Sequence, residues 1–180
     1  MAHLTSIGAG MYSDLSVSLS TIDPSTLTNA SAESAFTALF DTESEFERIR
    51  NVREFPNMGT PPNIVNVPVY GQSTSQQIQG QSDAENLEIQ LNYVADDWAA
   101  GSVLGDMVGD GSVYAFRFAL LNSAPSGYEQ TALSMGTVAN SDFFWAGKLE
   151  ALQVSPQLTD SNTATVTLSI QSPFFGAYTV

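Results

Sequence analysis

Leu87-Glu88-Ile89-Gln90-Leu91-Asn92-Tyr93 alternates apolar and polar residues without a break. Successive side chains of an extended chain point to opposite faces, so this stretch turns one apolar face to a core and one polar face away from it. Thr163-Ala164-Thr165-Val166-Thr167-Leu168-Ser169-Ile170 repeats the pattern, and so does Asp14-Leu15-Ser16-Val17-Ser18-Leu19-Ser20. The polar faces are largely Ser, Thr, Asn and Gln. They are expected to be wet but mostly uncharged, as in antiparallel sheets with one side in water.

Outward from these, two segments read as more deeply buried strands. Residues 113–121 are rich in aromatics, and 143–152 opens on Phe143-Phe144-Trp145, with large residues at both parities. The stretch 64–70 is β-branched, but Pro68 lacks the amide hydrogen that a central strand needs, which predicts an edge strand or a bulge. Helical periodicity is scarce. Residues 97–108 place Trp98, Val103, Leu104, Met107 and Val108 on one stripe, with Asp96 or Asp97 to start the helix and Gly109 to stop it. Gly101 and Gly105 each weaken it by about 1 kcal/mol relative to Ala, so packing has to hold it. Residues 31–40 predict a second, short helix with Ala32, Ala35, Phe36, Leu39 and Phe40 on one face, and Gly109-Asp110-Gly111 turns the chain into the strand at 113. One main helix against six or so strands is too few for alternating βαβ units. The expected class is mainly β: an antiparallel β-sandwich or half-barrel with one main α-helix packed outside.

A chain of 180 residues with 43% hydrophobic content makes one domain, burying roughly 70% of its unfolded surface without staples. No composition shift marks a domain boundary, and residues 1–180 read as one unit. Residues 56–81 stand apart, with Pro56, Pro61, Pro62 and Pro68 followed by the Gln/Ser-rich run 72–77. Long aperiodic loops inside compact domains are usually functional arms or disordered segments. Residues 1–20 carry no Lys or Arg and no continuous apolar run, and nothing approaches the roughly 20 apolar residues of a membrane helix. The expectation is a soluble chain made in a cytoplasm.

Composition removes most chemistry. The chain has no Cys, and its one His is His3, which argues against thiol nucleophiles, Cys- or His-built metal sites and Ser-His-Asp catalysis. Gly8-Ala9-Gly10 is too short for a phosphate loop and reads as a turn. Asp96-Asp97, Asp83/Glu85/Glu88 and Asp106/Asp110 are the available carboxylate groupings. A helix start, a strand's polar face and a glycine turn explain them better than acid–base work or calcium binding. No enzyme, no cofactor and no bound metal are expected. Nineteen acidic against five basic residues give a formal net charge of −14, which repels a nucleic acid backbone.

Three of the five basic residues are Arg48, Arg50 and Arg53, preceded by Asp41, Glu43, Glu45 and Glu47. An acidic run beside a basic cluster is self-complementary in sign, and between copies of one chain it can fix register. The local alternative is an exposed strand with cross-strand pairs worth tenths of a kcal/mol.

The segment 82–94, Ser-Asp-Ala-Glu-Asn-Leu-Glu-Ile-Gln-Leu-Asn-Tyr-Val, leads into Asp96-Asp97-Trp98, a Gly-Asp-Gly turn and the aromatic strand Tyr114-Ala115-Phe116-Arg117-Phe118. This order resembles the major tail tube proteins of bacteriophages. Phe46 through Pro56 and Val67-Pro68-Val69-Tyr70-Gly71 look like the tube proteins of long, non-contractile-tailed phages, flagellum-attaching types among them. The resemblance covers about residues 45–170; the first 40 residues and Pro173-Phe174-Phe175-Gly176 lie outside it. It implies no catalytic residues. It implies a tail tube fold whose hexameric rings stack into a hollow tube with an electronegative lumen, through which double-stranded DNA passes without specific binding. The implied partners are further copies of the chain, then tail terminator, tape measure and tail tip proteins, with no membrane. The implied location is the virion tail, after assembly in the host cytoplasm. On this reading Arg48, Arg50 and Arg53 pair with acids of an adjacent subunit, and Glu45, Glu47 and Tyr70 join the same contacts. The 56–81 loop bridges subunits and 21–45 forms an irregular arm. Two rivals are a tube protein of a contractile injection or secretion machine and a carbohydrate-binding β-sandwich with Trp98, Trp145 and Tyr128 as sugar platforms.

Overall fold

The computed structural model describes residues 12–41, 44–59, 64–68, 70–71, 76–79, 86–121 and 141–179. Eight strands form one antiparallel sheet: β1 (Tyr12–Thr21), β2 (Phe46–Arg48), β3 (Val52–Glu54), β6 (Leu87–Asn92), β7 (Tyr114–Leu121), β8 (Ser141–Ser155), β9 (Thr163–Ile170) and β10 (Phe175–Thr179). The path runs β2-β1-β7-β8-β9-β6-β3, with β10 paired to the start of β8. The strands β4 (Ile64–Val67) and β5 (Gln76–Gln79) pair separately as a hairpin. Three short α-helices, α1 (Ala32–Leu39), α2 (Ala95–Trp98) and α3 (Val103–Met107), and a 3-10 turn at Pro24–Thr26 complete the described elements.

The two ends of the path, β2 and β3, are only three residues apart in sequence. The amide of Ile49 donates to the Leu15 carbonyl on one side at 2.8 Å, and the Asn51 carbonyl accepts from Asn92 on the other at 2.9 Å. One segment, 46–54, therefore pairs with both edges, and the sheet curls round until they meet there. The crossing needs a left-handed residue. Asn51 supplies it at φ 61, a conformation Asn tolerates better than most side chains.

The register fixes what lies inside the curl. Leu15 faces Phe118 and Val17 faces Phe116, Phe116 faces Trp145, and Ile89 faces Val166. These residues, with Ile49, Leu149 and Leu168, form the larger core, into which Trp98, Leu104 and Met107 of the helical segment also pack. The strands expected at 87–93, 113–121, 143–152 and 163–170 are all present. The third runs on to Ser155 with a bulge between Leu149 and Ala151. The strand at 64 stops at Val67, before Pro68.

Two expectations need correction. The single helix over 97–108 is two short ones, because Gly101 takes φ +90 and breaks the path. The second starts not on Asp96 or Asp97 but on Ser102, whose Oγ accepts from the Gly105 amide at 3.1 Å. Val103 lies outside its buried face at 42% exposure. Gly109, at φ +74, does stop it. The polar face of β1 is not wet either: Asp14, Ser16 and Ser18 are all buried. An eight-residue helix, α1, accounts for that, and it lies where 31–40 predicts one.

Candidate assembly surfaces

The outward face of the sheet divides into two regions. One lies under α1. Phe36 stacks on Phe144 with ring centres 5.3 Å apart, Phe40 tilts against Phe144 and Phe46, and Phe36 meets Phe175. Ala115 and Ala119 of β7 leave room for these rings in a second, smaller core. The same face carries charge. In the register Ser16 of β1 stands between Arg48 on β2 and Arg117 on β7. Arg48 donates to Asp14 through Nε at 2.7 Å and through Nη2. Ser16 donates to the other Asp14 oxygen at 3.0 Å. Arg117 Nε donates to Asp142 Oδ2 at 3.0 Å, and both side chains are almost fully enclosed. Among the described residues, its two terminal nitrogens and the second Asp142 oxygen have no hydrogen-bond partner. Burial pushes the Asp142 carboxyl above its ordinary range; Arg117 opposes this and the nearby Asp14 adds to it.

Among the described residues, the other region has no such cover. It comprises Glu88, Gln90 and Asn92 of β6, Thr163, Thr165, Thr167 and Ser169 of β9, and Lys148, Glu150 and Gln153 of β8. All are exposed or half-exposed. The strand contacts of α1 fall on β1, on β10 and on β8 at Phe144, away from this region. Ser169 donates to Glu150 at 2.6 Å and accepts from Gln171 at 3.3 Å. Only Glu88, Glu150 and Lys148 are charged, leaving a net −1 on a hydroxyl- and amide-rich surface. Along one flank β7 pairs β8 only as far as Gly147. Among the described residues, 151–155 therefore have no strand partner on that side.

The structure distributes the expected contact residues widely. Arg48 was expected to meet an adjacent subunit, but its partner is Asp14 of its own chain, 34 residues away and buried. Arg50 also pairs internally, with Asp97 at 2.5 Å, tying the segment 46–54 to α2. Arg53 is exposed on β3, Glu45 is exposed, and Tyr70 stands fully exposed at a turn. Glu47 is half-buried, and burial raises its carboxyl above the ordinary range, against the pull of Arg50 and with the push of Asp97. Arg117 and Asp142 were not singled out from the sequence. A lone Arg in Tyr114-Ala115-Phe116-Arg117-Phe118, among residues too apolar for a wet face, was the available signal.

Of the carboxylates weighed for catalysis, Asp97, Asp106 and Asp110 have structural partners. Asp106 accepts from the Gly101 amide at 2.8 Å, while Asp110 accepts from the Ser112 amide and the Tyr114 hydroxyl. Among the described residues, no group of three or more His, Asp or Glu side chains could hold a metal, and no helix is long and apolar enough to cross a membrane. Trp98 and Trp145 are buried, so neither is a platform for a sugar. His3, Gly8, Gly10, Asp83, Glu85 and Tyr128 lie outside the described residues, as does much of 56–81. No family model matches the chain, and no curated protein matches it either.

Proposed function

We propose that this chain is the structural subunit of a phage-type tail tube, six copies forming a ring and rings stacking into a hollow tube. The observation that carries this reading is the uncovered region on β6, β9 and the second half of β8. It is a broad sheet surface rich in Thr, Ser, Gln and Asn, whose charges, Glu88, Glu150 and Lys148, sum to only −1. Such a surface suits the wall of a water-filled lumen past which a duplex must move without sticking. A net excess of Lys or Arg there would bind phosphates, and large apolar groups would bind each other. The reading places a sandwich-like tube fold around the curled sheet, with α1 on the outside. It also gives the open flank of β8 a partner, since closing the strands of six copies into one barrel removes free edges.

Six copies carry about −84 in total. The uncovered region contributes about −6 of it, counted from Glu88 and Glu150 against Lys148. The charge that passing DNA senses is set by the wall, because at physiological salt fields fade within about 8 Å. The lumen is on this account polar and weakly negative. Negative-stain electron microscopy of the purified protein, beside its mass in solution, tests the reading. Six-fold rings or tubes are the expected result. Single chains at every salt and protein concentration would oppose it.

A further inference from the structure

Two helical segments pack on the sheet, one on each face, and they are fastened differently. The segment 95–109 carries α2 and α3 and is tied in by polar bonds. Asp97 pairs with Arg50 of the segment 46–54, and the Gly109 amide donates to the Leu149 carbonyl of β8 at 2.8 Å. The stretch 23–40 carries α1. Among the described residues, each of its hydrogen bonds ends on the stretch itself, and no ion pair leaves it. Ser25 and Thr26 donate to Asp23, Ser31 bonds to Thr26 and Thr28, Ser34 donates to Ser31, and Thr37 donates to Glu33. The amides of Ala35 and Phe40 also stay inside it, donating to the Ser31 and Thr37 carbonyls. Backbone bonds anchor only its two bases. Ile22 donates to the Val113 carbonyl at 2.9 Å, and the Glu45 carbonyl accepts from Leu19 at 2.8 Å. Between those bases, burial of Ala32, Phe36 and Phe40 against Phe46, Phe144 and Phe175 holds the stretch down.

The bases lie side by side, because Ser18 of β1 faces Phe46 of β2 in the register. The stretch therefore leaves and rejoins the sheet at one place and lifts without either strand unpairing. What it covers is not wholly apolar. Arg117 and Asp142 are almost fully enclosed on this face, with two nitrogens and one oxygen that lack partners among the described residues. Lifting the stretch returns these groups to water, and the hydration regained offsets part of the apolar burial lost. We infer that residues 23–40 are a lid that lifts from the sheet as one unit while the sheet and the larger core stay folded, uncovering Phe144, Phe175 and the Arg117–Asp142 pair. Local openings draw on segments with few bonds to the rest of a fold. Opening is a property of the single chain and does not depend on the tube reading.

Because the chain has no cysteine, one introduced thiol reports alone. Ala119→Cys lies on β7 under the lid, and Ala164→Cys lies on β9 in the larger core; both alanines are 1% exposed. Under native conditions, and relative to its rate in the unfolded chain, Ala119→Cys is expected to react with a disulfide reagent at least about tenfold faster than Ala164→Cys. Ile89→Val then separates local from global opening, because Ile89 belongs to the larger core. It should speed labelling of Ala164→Cys about fivefold and leave Ala119→Cys unchanged. Equal rates for the two thiols, or equal acceleration of both by Ile89→Val, overturn the inference. Native-state hydrogen exchange on the unaltered chain guards against a cysteine that props the lid. The amides of α1 are expected to exchange through one shared opening, easier and less dependent on urea than that of β6 and β9. Amides of α1 that exchange only together with those strands would likewise overturn it.

Discussion

The covered and uncovered regions of the outer face share β8 and differ in what they bury. Under α1, the outward positions of β1, β7 and β8 are Asp14, Ser16, Arg117, Asp142 and Phe144, packed with alanines and phenylalanines. Farther along, the outward positions are threonines, glutamines and a few charges left in water. Both read as the polar half of an alternating strand. Alternation says which residues share a face; it does not say whether a neighbouring element covers that face. The opposite charges come in pairs in the covered region, as burial demands, because an unpaired charge in a dry site costs several kcal/mol.

The largest expected effect breaks that pairing. Arg117→Met leaves Asp142 buried without a cation and should lower stability by about 3–5 kcal/mol in urea unfolding. Adding Asp142→Leu should restore most of the loss, since well-packed apolar residues replace a buried pair at little cost. A tolerated single variant would mean that water reaches the covered region. Phe36→Ala tests the cover itself, with a loss of about 3 kcal/mol or more by the same method. In the uncovered region Gln90→Ala should stay within about 0.5 kcal/mol, and a larger loss would reveal hidden packing there.

Arg50→Glu lies between these extremes. Its partly exposed pair with Asp97 is worth about 1 kcal/mol or less, and the reversed charge also repels Asp97 and Glu47, so the variant should fold with a lower midpoint. On the tube reading it should also assemble less readily, and unchanged tubes would remove Arg50 from the contacts. The smallest effect is on pH dependence. Burial raises Glu47 from an ordinary 4.5, and Asp142 from 3.8, so the folded chain keeps protons that the unfolded chain has released. Their contribution to stability is complete below those ordinary values and is lost as pH rises through the folded ones. Glu47→Gln should flatten the decline just above pH 4.5 in thermal melts; an unchanged slope would contradict the raised carboxyl.

Much of the fold was legible because its strands alternate cleanly. Leu87–Asn92, Thr163–Ile170 and the helix near 31–40 follow from periodicity alone. What was not legible depends on partners distant in sequence. Asp14 and Arg48 meet only because β1 and β2 pair, so the arginine cluster looked free to serve a neighbour. The curl of the sheet rests on Asn51 turning left-handed between two three-residue strands, and no local pattern marks that. Gly101 was recognised as a weakness in a helix, but its positive φ makes it a break.

The central claim is that the uncovered region lines a lumen and α1 faces outward. In the cysteine-free background, Gln90→Cys and Ala38→Cys place one thiol on each region. In assembled particles the account predicts that both react with a small maleimide, while a maleimide on a long polyethylene glycol chain labels only Ala38→Cys. Equal labelling of both by the large reagent, or protection of Ala38→Cys instead, would contradict it.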